Sequence, residues 1–466
     1  MKQHANFSPW AMLSALLIGT MIGTMGNSMV SIALPSLMDS FSIPLTSATW
    51  AITLYTLTFS VLIPVFGALS SSLGYKRLFL SGMVLVAFSS MLCVYAPNFA
   101  VFMLARVLIG IGVATILPTI MGLVADRFPP ALQGQATGYW ALVNSLGHAI
   151  GPILGGVLIS YFGWQGIFWI NVPLAALSIG MAVIVFPPDS KLRVPDFDWG
   201  GAAGITVFVF ALMSGISLVS KLGINNPQVM VSFAIAAVAV IFIGVHERRH
   251  SSPFFDFHLF TRKEYLAAVF PISLQAFSQF GLLVSLPVFL IDLQRIDKQV
   301  AGLVIMCMTL MMAITSPIAG RLADRWGSRR ICMGGTLAIA SGAVLMYFLK
   351  TDTLTTTAWV LFLISLAVFG TGFGMIQSSS TVAALQAAPK GKTGVATGFF
   401  HMIRFVNASL GSTVVGIMLE TNRGGLVNGY YSSFILVFGL ALVTLPFLFW
   451  MADRVDQPKP LAQADS

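Results

Sequence analysis

Four residues able to do proton or charge chemistry sit deep inside long apolar stretches of this chain. They are Arg106 in LARVLIGIGVA, His148 in NSLGHAIGPILGG, and His401 with Arg404 in HMIRFVNASLG. A charge at the middle of a bilayer costs about 2.5–3.5 kcal/mol on insertion scales, so such a residue usually faces a cavity and has a partner. Arg106 is too far from any loop to snorkel out. Histidine, with an ordinary pKa of about 6.5, can pass a proton between compartments, whereas a lone intramembrane histidine often only hydrogen-bonds a backbone carbonyl. His148 and His401 are therefore candidate proton carriers, and Arg106 and Arg404 candidates for a cavity-facing charge. Asn27, Tyr55, Asn144, Gln275, Gln279, Gln377 and Asn407, on the same or neighbouring runs, supply a candidate pocket. Drug-sized ligands take mostly apolar sites with a few placed polar groups, and each of these residues serves equally well as glue between helices. No Asp or Glu falls at mid-depth; Asp39, Asp126, Asp292 and Glu420 read as terminal. A cavity with that inventory is electropositive and repels an unpaired cation.

The elements that must hold these residues follow from the surrounding pattern. Gly147, Gly151 and Gly155 recur every four residues, with Gly156 beside them. On a helix they form a side-chain-free groove that admits a second helix, the way helices associate in lipid. Pro152 removes one backbone donor and bends the helix at the groove. Any small-xxx-small pattern does as much, so the groove becomes a gate only in the company of the rest of the chain.

The 466 residues are 57% hydrophobic and 9% charged, with a mean hydropathy of +0.88, where a soluble chain carries roughly a quarter charged residues. Only a polytopic membrane protein fits. Runs of about 20 apolar residues give about fourteen spans, near 9–37, 47–70, 77–96, 99–123, 134–160, 164–186, 199–220, 227–245, 265–291, 299–320, 330–349, 357–386, 393–419 and 428–451. The first is too long for a cleavable signal. The isoelectric point near 9.6 comes from basic residues in short gaps, a membrane-orientation pattern rather than a nucleic-acid face. Lys76, Arg77, Arg127, Arg321, Arg325, Arg329 and Arg330, with others, lie on the side of both termini, which puts the termini in the cytoplasm. Cys93, Cys307 and Cys332 are far apart and imply neither disulfides nor a metal site.

GALSSSLGYKR (Gly67–Arg77) and GRLADRWGSRR (Gly320–Arg330) repeat Gly, Leu, Gly and a basic pair at matching offsets, so the chain is a duplicated bundle. Two spans are left over as a central insertion. The segment His246–Glu264 follows it, with SPFFDFHLF suited to the membrane surface or to a plain linker.

These motifs, in this order and on these spans, resemble the major facilitator superfamily, and within it the fourteen-span drug:proton antiporters of the QacA/EmrB-like group. GRLADRWGSRR resembles the superfamily's loop signature, Asn144–Gly156 its antiporter signature, and Leu104–Ala114 the signature with a buried arginine. SIALPSL, Trp50, Tyr55 and FWINVP (Phe168–Pro173) are smaller matches over nearly the whole chain. The resemblance implies an all-α membrane protein: two six-helix bundles plus two extra central spans, divided as 1–186, 187–263 and 264–451 with a disordered tail at 452–466. It implies alternating access around a midplane cavity. Gly147, Gly151, Pro152, Gly155, Gly156, Gly320, Asp324, Arg325, Gly327, Arg329 and Arg330 would gate it. Asp324 would latch neighbouring helices by charge pairing and by facing the N-terminal end of the next helix, while Arg329 and Arg330 serve orientation equally well. The first copy has Ser71 where that acid belongs, so its latch is weaker or built differently. The resemblance implies that Arg106 takes part in proton coupling or in ordering the cavity; Arg404 reads as its nearest counterpart in the C-terminal half, or as a buried structural pair. Exporters of lipophilic cations usually carry a first-span carboxylate just before SIALP, and here Gly26 and Asn27 stand there.

The expected function is proton-coupled export of small amphiphilic compounds or drugs across the cell inner membrane. The competing reading is a transporter of an organic anion or zwitterion, an importer or one coupled differently. No metal-ligand spacing, G-x-S-x-G or P-loop points to an enzyme or an ATP-driven pump, and a purely structural protein has no need of Arg106 and Arg404 in the bilayer. The expected partners are a small-molecule substrate, protons and lipid, with no cofactor, metal or nucleic acid, and a monomer suffices.

Overall fold

The computed structural model describes residues 8–187, 189, 197–247, 254, 257–349, 356–389, 393–421 and 426–451. The expected tail at 452–466, part of His246–Glu264 and several basic loop residues lie outside the described residues. Among the described residues, fourteen helices are long and apolar enough to cross a membrane: α1 (Pro9–Phe41), α2 (Trp50–Ser70), α3 (Tyr75–Val94), α4 (Phe99–Arg127), α5 (Pro130–Phe162), α6 (Gly166–Val185), α7 (Trp199–Val219), α8 (Pro227–Glu247), α9 (Lys263–Ile291), α10 (Val300–Trp326), α11 (Ser328–Phe348), α12 (Thr356–Ala387), α13 (Thr393–Leu419) and α14 (Gly429–Trp450). Each falls on a span that the hydropathy pattern assigned. An even count places the start of α1 and the end of α14 on one face, the terminal face.

Local chemistry fixes the helix ends. Ser8 and Asn98 accept from backbone amides at the starts of α1 and α4, satisfying donors that a helix leaves open. Gly74 and Gly327, between α2 and α3 and between α10 and α11, have φ of 87° and 88° with ψ of 149° and 147°. That region is nearly closed to residues with a Cβ, so both turns require glycine. Inside the spans, Thr20, Thr24, Ser28, Thr56 and Ser60 return their hydroxyls to carbonyls four residues earlier, which lets them sit in an apolar medium.

The duplication is written in the close approaches. Pro64, Gly67 and Gly74 recur 253 positions on as Pro317, Gly320 and Gly327, and Gly134 and Gly138 recur 260 positions on as Gly394 and Gly398. The resulting architecture is the expected one, two six-helix bundles with two extra helices. One apolar core joins α1 to α6. A second joins α9 to α14 and takes in α7, Ile243 of α8 and the Leu57, Val61 and Val65 face of α2. The halves meet along two crossed pairs, α5 with α10 and α2 with α13, and α7 packs against both α2 and α13. Thr413 of α13 donates to the Ile216 carbonyl of α7 at 3.2 Å.

Candidate functional site

Between the halves lies a cavity of about 310 Å³, walled by residues of α1, α2, α4, α5, α7, α9 and α13. Its polar wall carries Asn27, Tyr55, Asn144, His148, Gln279 and Arg404, and the remainder is mostly apolar, including Phe59, Trp140, Phe280 and Phe405. The stripes obey helical spacing. Trp140, Asn144 and His148 follow one another by four on α5, and Arg404, Ala408 and Ser412 do the same on α13. Met213 and Ser217 bring the extra helix α7 into the wall.

Toward the terminal face from the cavity, the halves meet in two glycine seams. A Cβ on Gly134 or Gly320 would collide with the other's carbonyl, and the same holds for Gly67 and Gly394. Gly138 rides on Pro317, and Gly398 on Pro64, in the same repeat-related way. Asp324 adds a latch to the first seam only: its carboxylate accepts from the Gly134 amide at 2.7 Å and the Gln135 amide at 2.8 Å. This corrects the expected partner. Asp324 holds the beginning of α5 in the other half, not the start of the next helix, because the seam brings those amides beside the end of α10. Arg321 joins the same seam by donating to the Tyr139 hydroxyl at 2.7 Å. Position 71 is the repeat equivalent of Asp324, and the Ser71 side chain lies outside the described residues. Of the other residues expected at this gate, Arg329 lies over the Phe449 ring at 4.7 Å, Gly327 forms the turn, and Arg325 is exposed in the last turn of α10.

The Gly147 groove faces α1 within the N-terminal half. Gly147 receives Thr24, Gly151 receives Ser28 and Met25, and Gly155 receives Met29. Gly156 faces open space and takes no part, since it lies one residue off the stripe. Pro152 is carried inside the continuous helix. His148 shares a hydrogen bond of 3.1 Å with the Ser28 hydroxyl, so the groove sets the imidazole against α1 at the cavity wall.

Arg106 stands behind that wall rather than on it. It is 1% exposed; its Nε–H donates to the Ala51 carbonyl at 2.9 Å and its Nη2 to Asn27 Oδ1 at 3.0 Å. Its guanidinium lies 4.6 Å from the Tyr55 ring centre, and Tyr55 donates to the Gly23 carbonyl at 2.7 Å. Arg106 thus orders Asn27 and Tyr55, and they touch the cavity. Arg404 is on the wall itself, 4% exposed, donating to Gln377 Oε1 at 3.2 Å. The repeat corrects their pairing: Gly110 and Gly112 correspond to Gly370 and Gly372, which sets Arg106 opposite Leu366, whereas Arg404 corresponds to Asn144 on α5.

The remaining sequence candidates are placed elsewhere. His401 is 0% exposed, packed between Trp140 and Phe400 one turn nearer the glycine seams. Gln275 supports Gln279 by donating to its Oε1, Gln377 supports Arg404, and Asn407 donates to Ser273 and to the Ile403 carbonyl, off the cavity stripe. Sequence reasoning missed the seam glycines of α5 and α13. Their signal was present as GQATG at 134–138 and GVATG at 394–398.

The model of the Major Facilitator Superfamily matches residues 16–412 and 268–466. Multidrug resistance protein Stp of Mycobacterium tuberculosis is 30% identical over 391 residues, 84% of this chain and 72% of the relative. Riboflavin transporter RibZ of Clostridioides difficile is 26% identical over 404 residues, 86% of each. In three dimensions the human organic anion transporter MFSD10 (TETRAN) superposes with a TM-score of 0.67 at 16% identity, over 94% of this chain and 99% of that one, a likeness of fold. A sequence match that runs through both halves of a bundle built this way means that the chain belongs to the Major Facilitator Superfamily, and is a multi-pass membrane transporter rather than an enzyme.

Proposed function

We propose that the protein exports small amphiphilic compounds by alternating access, coupled to proton entry, from the cell inner (plasma) membrane. The observation that carries this reading is a cavity between two repeat-related halves, shut at one face by the seams Gly134–Gly320 and Gly67–Gly394. Residues 1–186 and 264–451 would rock as the two units, joined through 187–263, and a single copy would suffice. The basic residues flanking the terminal face support cytoplasmic termini. The closed face is then the cytoplasmic one, and the cavity is held ready to release outward. A relative named for multidrug resistance supports drug-like substrates.

His148 is the proposed proton carrier, because it reaches the cavity and His401 does not. Arg106 would act by ordering Asn27 and Tyr55. The second reading, an organic-acid or zwitterion transporter with different coupling, is favoured by one fact: no carboxylate lines the cavity among the described residues. Purified protein in liposomes with an imposed pH gradient tests the first. Transport should accelerate with the gradient, and His148→Ala should flatten its dependence between about pH 5 and 8. An unchanged pH profile in His148→Ala would remove that residue as the carrier.

A further inference from the structure

We propose that the cavity takes an amphiphile bearing an acid group, and that Arg404 is the residue that selects it. The inference rests on the transport reading above only for the direction of movement; the binding site stands by itself. Arg404 is buried on the cavity wall, yet among the described residues its side chain makes one hydrogen bond, to a neutral amide, Gln377 Oε1, and its Nε has no hydrogen-bond partner. Arg106, the other guanidinium in the bilayer, is likewise held by neutral groups, the Ala51 carbonyl and Asn27. Among the described residues neither has a carboxylate within ion-pairing distance. Buried charges are normally paired, since the cost of leaving one alone is high. Among the described residues the chain supplies no counter-ion, and in this proposal the ligand does.

The rest of the wall fits the same molecule. Asn144 holds on α5 the register position that Arg404 holds on α13, so the cationic end of the cavity belongs to the C-terminal half and the facing position offers a neutral amide. Phe59, Trp140, Phe280 and Phe405 give the apolar body of the ligand its surface. A planar fork of donors suits a carboxylate better than a point charge does. The assignment also gives the missing first-span carboxylate a reason: a ligand that arrives with its own negative charge has no use for an acid in the wall. Outward movement of an anion carries charge, so an inside-negative potential speeds it, whereas one-for-one exchange of a monovalent cation for a proton is electrically silent.

The test uses three ligands on one skeleton: naphthylacetate, naphthylacetamide and naphthylmethyl-trimethylammonium. Binding to detergent-solubilised protein is followed by calorimetry, and transport in liposomes with and without a potassium–valinomycin potential. Wild-type protein should prefer the carboxylate, with export quickened by an interior-negative potential. Arg404→Gln should lower the carboxylate-to-carboxamide ratio by roughly tenfold or more, as loss of a charge-assisted bond does, and Arg404→Lys should restore part of it. Preference for the ammonium ligand by wild-type protein, or an unchanged ratio in Arg404→Gln, overturns the proposal and leaves the export reading intact. Arg404-dependent carboxylate binding without transport of any of the three supports the acid site and counts against the export reading.

Discussion

Of the two membrane-embedded arginines, Arg106 is held behind the cavity wall and Arg404 stands on it. Arg106 uses two donors of its fork on two acceptors from different helices, the Ala51 carbonyl and Asn27. A lysine keeps the charge and cannot span both in that geometry. Arg106→Lys is therefore expected to cut the transport rate by roughly tenfold or more while the protein still inserts and purifies, on a loss of one or two charged hydrogen bonds; unchanged transport would reduce Arg106 to filler. Arg106, Arg404 and His148 were legible in the sequence because an ionisable group in an apolar run is costly wherever it points. The pocket residues were legible only in part. Asn27, Tyr55, Asn144 and Gln279 reach the cavity, while Gln275, Gln377 and Asn407 bond to neighbours. A polar residue on an apolar helix has no face until the packing of that helix is known, and nothing in single-sequence periodicity supplies it.

At the scale of elements, the glycine seams and one N-cap carry the argument. Asp198 caps α7 through the Gly201 amide at 2.8 Å, accepts from the Phe254 amide at 3.3 Å, and pairs with His246 of α8 at 2.7 Å. Burial opposes its charge, but the Gly201, His246 and Phe254 hydrogen bonds outweigh it and hold the carboxyl below its ordinary 3.8. A depressed carboxylate contributes stability that is present above the unfolded pKa and lost as the pH falls through the folded one. Asp198→Ala is expected to destabilise the protein by about 1 kcal/mol near neutrality, as N-cap truncations do. Its deficit against wild type should shrink as the pH drops below 3.8, followed by thermal unfolding in detergent. The fourteen spans were readable because hydrocarbon thickness dictates the length and composition of each helix. Of the seams only Gly320 was read; the α5 and α13 glycines were not, although GQATG and GVATG stood in the sequence. A glycine's function there is the backbone it meets, and that belongs to another helix.

The whole molecule is a duplication made asymmetric. One seam, α5 with α10, carries the Asp324 latch. Across the other, α2 with α13, lies the extra helix α7, bound to α13 by Thr413 and contributing Met213 and Ser217 to the cavity. The first inserted helix thus forms part of the cavity wall, a placement invisible in a hydropathy trace that showed only two spans too many. The latch predicts how the halves move. A carboxylate holding two backbone amides is worth about 1.5–3 kcal/mol per charged bond, so its loss should populate the state open at the terminal face. Spin labels placed at the terminal ends of α5 and α10, and a second pair at their opposite ends, allow both distances to be read by pulsed dipolar spectroscopy in wild type and Asp324→Asn. Alternating access predicts reciprocal change in the variant: a longer population at the terminal face together with a shorter one at the opposite face. Distances that stay as in wild type at both faces, or that lengthen at both, would contradict it.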